Sequence, residues 1–374
     1  MGSPRTWLND RRTRAVVVQA GAAVLMVAVA ALLAATLAAN LARLNLSGGF
    51  GFLLRPAGMA IGESVIAFEP SDSFAWAILA AALNTLRVAL AAIVLATVLG
   101  TAVGVARLSP NPLLRGITSV YVELFRNTPL LLQILFWSAL VLKLPRVREA
   151  VSFGDWAFLS QRGLQVPALA FDANTAWPLA LAAALACAAA VAVLAWRMRV
   201  VAAVFLLVGL AGLFWAGTLG MQQPVRRPFG FAGGLTLTPE FCALLAGLVA
   251  YTGAFIAEIV RGGILAVPRG QWEAARSLGL HDARILRMIV LPQTLRVILP
   301  AITSQYVGII KNSSLAIAIG FPDLFWAVST AINVTGHAIE GVAVMMAAYL
   351  VLTLATATTM NRWHAGLLRR GVSR

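Results

Sequence analysis

The sequence predicts an all-α fold, a polytopic transmembrane helical bundle of about eight spans, and two observations carry that prediction. Of its 374 residues, 60% are hydrophobic and only 11% charged, where soluble domains carry roughly 25% charge. A soluble fold of that composition has too little polar side chain to cover its outside. The apolar stretches also approach or exceed the roughly 20 residues a helix needs to cross a bilayer.

The spans fall at about 15–39, 74–105, 117–142, 176–196, 200–221, 239–261, 297–320 and 341–361. The first follows the basic segment Arg5 to Arg14 in the manner of a secretory leader, but its run to Ala39 is longer than a leader's apolar core, which predicts a retained anchor. Orientation follows from where Arg and Lys fall. With the N-terminus cytoplasmic, 18 of the 29 basic residues lie inside and 8 outside, while Arg87, Arg126 and Lys311 lie within spans. Both termini are then cytoplasmic. Two outer stretches are long, about 40–73 with Glu63, Glu69 and Asp72, and about 143–175 with Trp156 and Phe158, whose aromatics suit a membrane interface.

Composition also excludes. The net charge of +15 would suggest nucleic acid in a soluble domain, but here the basic residues sit between spans and serve orientation, so no nucleic-acid partner is predicted. Cys187 and Cys242 lie in or beside apolar spans and make neither a disulfide framework nor a metal site, and the three histidines have no ligand spacing. No Ser-His-Asp spacing or cofactor loop supports an enzyme.

The most informative stretch separates the sixth and seventh spans. Pro268 to Gly279 is polar and basic: Glu273, Ala274 and Ala275 favour helix, the small alanines let another surface come close, and Gly279 permits a sharp turn. A second amphipathic piece from about Asp282 to Val290 leads to Pro292, which is expected to break it. Such an element suits docking into a groove on a partner protein. Glu273-Ala274-Ala275, three residues, Gly279, nine residues, Ile289, one residue, Leu291-Pro292 resembles the EAA loop of bacterial ABC importer permeases. The resemblance implies that Glu273, Ala274, Ala275, Gly279, Leu291 and Pro292 couple the chain to an ATP-binding subunit. Asn84-Thr-Leu-Arg87, Glu123 to Leu130, Tyr251 to Gly263 and Lys311-Asn-Ser-Ser-Leu315 resemble the polar amino-acid branch of that family, and the larger layout resembles its general L-amino-acid subgroup.

The resemblance implies a five-span type I importer core over 74–142 and 239–374, with an added anchor and outer loop over 1–73 and an inserted pair of spans with outer loops over 143–238. It implies a cytoplasmic ABC ATPase dimer, a second permease subunit (identical or paralogous), an extracytoplasmic solute-binding protein and an amino-acid substrate, all at the inner membrane bilayer. ATP and Mg would sit on the partner. A P-loop needs Gly-Lys followed by Ser or Thr; the only lysines, Lys143 and Lys311, follow Leu and Ile, so this chain has no such cradle.

Ionisable groups at membrane depth mark a pathway or a pair. Lys311, with Asn312, Ser313 and Ser314, has the donors to hold an α-carboxylate; the competing reading is a snorkelling or paired lysine. Glu258 and Arg126 are further candidates for the path, but Glu258 is three residues from Arg261 and Arg126 three from Glu123, so both spacings also suit structural pairs. Arg87 snorkels or pairs at the outer boundary. The predicted cavity is lined by the third, sixth and seventh spans, with Lys311 to Ser314 facing it. The alternative is an ion-coupled secondary amino-acid transporter, marked by broken helices and a midplane ion site; the EAA segment speaks against it. A structural scaffold would not need the cluster around Lys311.

Overall fold

The computed structural model describes residues 11–43, 49–154, 156–171, 219–227 and 230–372. Among these, five helical stretches are long and apolar enough to cross a membrane, or six if one sharply bent pair counts as a span. The predicted spans at 176–196 and 200–221 lie outside the described residues except for 219–221, which are strand rather than helix.

The first helix, α1 (Arg11–Arg43), covers the predicted anchor. The second, α2 (Phe74–Ala106), is started by Ser73, whose side chain accepts from the Trp76 N–H at 3.3 Å. It packs along α5 (Pro239–Leu265), which Thr238 caps by accepting from the Phe241 N–H. The buried face of α2 is built from Ala77, Ala80, Ala89, Ala92 and Ala96 and ends in Gly100 and Gly104. A Cβ at Gly100 would stand 2.7 Å from Gly253 O, and one at Gly104 2.6 Å from Ala257 O. Small residues four apart thus bring two helix backbones into direct contact, the usual way helices associate where lipid removes the hydrophobic drive.

The predicted third span is not one helix. It consists of α3 (Pro112–Asn127) and α4 (Leu130–Leu142), set at 109° across Thr128 and Pro129. Proline pushes the residue before it out of the helical region, and Thr128 is extended (φ −107°, ψ 138°). The seventh span also differs. A short α6 (Arg269–Ser277) is followed by α7 (Asp282–Ile285), a π-turn over Leu286–Val290, and α8 (Leu291–Asn312), which passes into a 3₁₀ helix over Ser313–Ile319. Pro292 therefore does not break the segment as expected. The Leu291 N–H bonds five residues back to Leu286 O, and this widened turn lets the helix carry a proline through. A short apolar helix, α9 (Leu324–Thr335), precedes the last long helix, α10 (Ala338–Val372).

The described part of the predicted insertion is largely β structure, which the sequence did not suggest. Strands β1 (Val151–Phe153), β2 (Ala157–Ser160), β3 (Gly163–Val166) and β8 (Leu235–Leu237) form an antiparallel sheet in that order. Two hairpins pair β4 (Ala168–Phe171) with β5 (Leu219–Gln222) and β6 (Val225–Arg227) with β7 (Gly230–Ala232). Phe158 is buried against Phe231, not at an interface, while Trp156 is exposed. The sheet meets the Pro239 end of α5, opposite the end that leads to α6.

Candidate functional site

Three groups of the predicted residues can be located. The first is the segment after α5. Helix α6 ends in a complete Schellman motif: the Gly279 N–H bonds Arg276 O at 2.9 Å and the Leu280 N–H bonds Ala275 O at 3.2 Å. That ending needs a left-handed residue, and Gly279 supplies it at φ 74°. His281 restarts the chain, its Nδ1 accepting from the Arg284 N–H at 3.2 Å, and Arg276 bridges the turn to Asp282 at 3.2 Å. Ala275 is buried with Val267, Ile285 and Val290, so it serves the loop's own small core. Glu273, Ala274 and Gly279 are exposed, as is Leu278 at 79%. A Cβ at Gly279 would meet nothing within 4 Å. Leu291 and Pro292 are exposed at the first turn of α8. A cleft of about 460 Å³, lined by Leu108, Leu265, Trp272, Glu273 and Arg276 among others, lies beside α6.

The second group is charged. Glu258 accepts from Arg261 (Nη2 at 2.5 Å, Nε at 3.3 Å) and also pairs with Arg107 from the end of α2. The predicted Glu258–Arg261 pair is present, and a cation from another helix joins it. Glu123 and Arg126 form no ion pair with each other among the described residues; Arg126 instead lies over the Phe255 ring at 5.1 Å. Arg87 pairs with Glu63 of the loop before α2 and stacks on Phe241 at 4.5 Å. Thr238 Oγ1 donates to the other Glu63 oxygen at 2.5 Å, fastening that loop to α2 and to the head of α5.

The third group is where two helices lose their α form. Lys311 and Asn312 close α8, with Lys311 exposed; Ser313 Oγ donates to Ile310 O and Ser314 Oγ to Lys311 O, each at 2.8 Å. A cation in a helix's last turn also complements the dipole there, so position alone does not make Lys311 a ligand. Next to it is the α3–α4 break. Leu130 and Ile134 of α4 share one apolar cluster with Ile309, Ile310 and Ala316 of α8 and its 3₁₀ extension, and with Leu248 of α5. The third, sixth and seventh predicted spans thus do come together here.

Two residues at this junction went unremarked in the sequence. Gln133, 7% exposed, donates through Nε2 to Phe125 O (2.9 Å), Thr128 O (3.1 Å) and Thr128 Oγ1 (2.7 Å), bracing the break. Asp323 is fully buried and caps α9, accepting from the Trp326 N–H at 2.8 Å and the Tyr349 hydroxyl at 3.2 Å. An Asp immediately before an apolar run was a readable cap signal for the second. Among the described residues no cluster of His, Cys, Asp or Glu could hold a metal.

Residues 96–370 match the family model described as "Binding-protein-dependent transport system inner membrane component". The general L-amino acid transport system permease protein AapQ of Rhizobium johnstonii is 41% identical, covering 96% of this chain and 94% of its own. The putative amino-acid ABC transporter permease protein YhdX of Escherichia coli is 44% identical over 86% of each chain. BztB of Rhodobacter capsulatus, a glutamate/glutamine/aspartate/asparagine transport system permease protein, is 34% identical over 96% of this chain and 95% of its own. These likenesses leave the ion-coupled carrier without support. The chain belongs to the binding-protein-dependent transport system inner membrane component family, and is a multi-pass permease subunit of an ABC transporter.

Proposed function

We propose that this chain moves polar amino acids inward across the inner membrane, driven by a separate ATPase that grips the α6 segment. The amino-acid substrate is supported by the names of its relatives. One observation carries the coupling: α6 is held from beneath by Ala275 and its cluster, while Glu273, Ala274, Leu278 and Gly279 face outward with nothing of this chain against Gly279. An exposed leucine and a bare glycine turn at the tip of a braced helix form a shape made for a partner's groove.

The remaining partners follow from that reading. An ABC ATPase dimer carries ATP and Mg, a second permease copy or paralogue completes the pore, and a solute-binding protein delivers substrate at the β-sheet face. Both termini and α6 are cytoplasmic, in keeping with the excess of Arg on that side. Replacing Gly279 with Phe tests the coupling. A left-handed non-glycine residue costs roughly 1–2 kcal/mol locally, too little to unfold a braced bundle, and the ring would obstruct the groove. The expected result is normal insertion, with ATP hydrolysis no longer stimulated by substrate and uptake reduced at least tenfold. Normal uptake by that variant would remove the docking role.

A further inference from the structure

We propose that the N-terminus of α4, with the Gln133 carboxamide lying across it, seats the α-carboxylate and α-ammonium of the transported amino acid. This rests on the amino-acid reading above and assigns it a site.

The break between α3 and α4 lies level with the middle of α5, with Pro129, Leu131 and Leu132 exposed on this chain's surface. Tyr121, on one side of it, donates to Ala250 O at 2.7 Å, and Ile134, on the other, packs against Gly247. Both contacts are near the middle of α5, which runs from Pro239 to Leu265. A 13-residue helix therefore starts part-way along the spans, and its first N–H groups have no partner within the helix. The first intrahelical bond is the Gln133 N–H to Pro129 O at 3.3 Å, so the N–H groups of Leu130, Leu131 and Leu132 precede it. Pro129, at the cap position, offers no side-chain acceptor. Thr128 has one but is held away from the helix end: its hydroxyl donates to Leu124 O at 2.9 Å and accepts from Gln133. The chain thus leaves a helix N-terminus, the natural place for an anion, without a side-chain cap at the level of the middle of α5.

Gln133 supplies the second, independent sign of a ligand. All three of its contacts are to oxygen atoms at the break, two of them carbonyls that only accept, which fixes Nε2 as the donor. Its Oε1 is buried and without a hydrogen-bond partner. An unspent acceptor in a buried polar group costs free energy unless something occupies it in part of the working cycle. With the first N–H groups of the same helix, which have no intrahelical partner, that oxygen makes a donor-and-acceptor set of the kind an amino-acid head group requires. Arg126 adds a cation on the α3 side, and Lys311 and Asn312 end α8 beside the same apolar cluster. Because every amino acid has the same head group, such a seat suits a carrier of several of them.

An internal cap competes with the substrate for these N–H groups and so tests the seat. In the complete transporter in proteoliposomes, uptake of an equimolar mixture of labelled L-amino acids is measured for wild type, Pro129→Asp and Pro129→Asn, with thermal unfolding alongside. An Asp there accepts from the free N–H groups itself. The expected result is a KM raised at least tenfold by Pro129→Asp and less by Pro129→Asn, with a melting temperature no lower than wild type. A merely structural break would show the opposite pattern, unchanged KM in folded variants, and that overturns the seat. A second arm uses wild type alone: amines made by decarboxylating the same amino acids should fail to compete, and equal competition also overturns the proposal. This arm decides the matter if the variants lose stability. Absence of any amino-acid uptake by wild type would instead overturn the amino-acid reading, and the seat with it.

Discussion

Helices α2 and α5 differ in kind from the α3–α4 and α8–3₁₀ pairs that pack around them. The first two are unbroken over 33 and 27 residues and touch backbone to backbone at Gly100 and Gly104. At one end they are tied by Arg107, Glu258 and Arg261, and at the other by Glu63, Arg87 and Thr238. The second set is interrupted at a shared cluster, by an extended Thr128 on one side and by the loss of α form after Asn312 on the other. Continuous helices satisfy their backbone internally, whereas interrupted ones expose donors and acceptors at membrane depth. Exposed backbone in a membrane is tolerated where it lines a cavity or is buried in protein. The first pair is a post, and the proposed head-group seat lies at one of the interruptions.

The contrast is broken most sharply by Gly104→Leu. The added side chain would start 2.6 Å from Ala257 O, with backbone that has nowhere to go. Overpacking of this kind costs typically 1–3 kcal/mol and occasionally more, and here it separates two helices along their length. The expected outcome is loss of monodisperse protein on size-exclusion chromatography. An intermediate effect is expected from Lys311→Ala combined with Asn312→Ala, which leaves the post untouched: assembly of the complex stays normal while uptake falls several-fold. Normal uptake together with normal assembly would take both residues out of the path. The smallest effect belongs to Glu258→Gln, which keeps the shape but removes the charge that Arg107 and Arg261 share. Charge-assisted hydrogen bonds contribute about 1.5–3 kcal/mol each when made, discounted here because the Glu258 side chain is 28% exposed. A drop of a few degrees in melting temperature with KM unchanged is predicted, and a raised KM would move Glu258 into the path.

The sequence exposed what was local and hid what depended on direction. The segment between α5 and α8 was legible because its signals are short-range: helix formers before Gly279, then a glycine where only a left-handed residue closes the turn. Ion pairing at spacing three held for Glu258, which lies in a continuous helix with Arg261. It failed for Arg126, where α3 is about to end and Phe255 offers an aromatic face. The α3–α4 break was hidden because the leucines after Pro129 are as apolar as an unbroken span, and hydropathy carries no record of a 109° change in course. Pro292 misled for the opposite reason, since a π-turn absorbs it without altering composition. Three- and four-residue strands in the insertion left no periodicity long enough to detect.

Uptake of labelled L-amino acids into sealed proteoliposomes tests the central claim most directly, comparing this permease with its partner permease alone against the same pair carrying the ATPase subunit and internal or external ATP as orientation requires. The account predicts accumulation only when the ATPase, ATP and binding protein are all present. Accumulation driven by an ion gradient with no ATPase in the vesicle would contradict it.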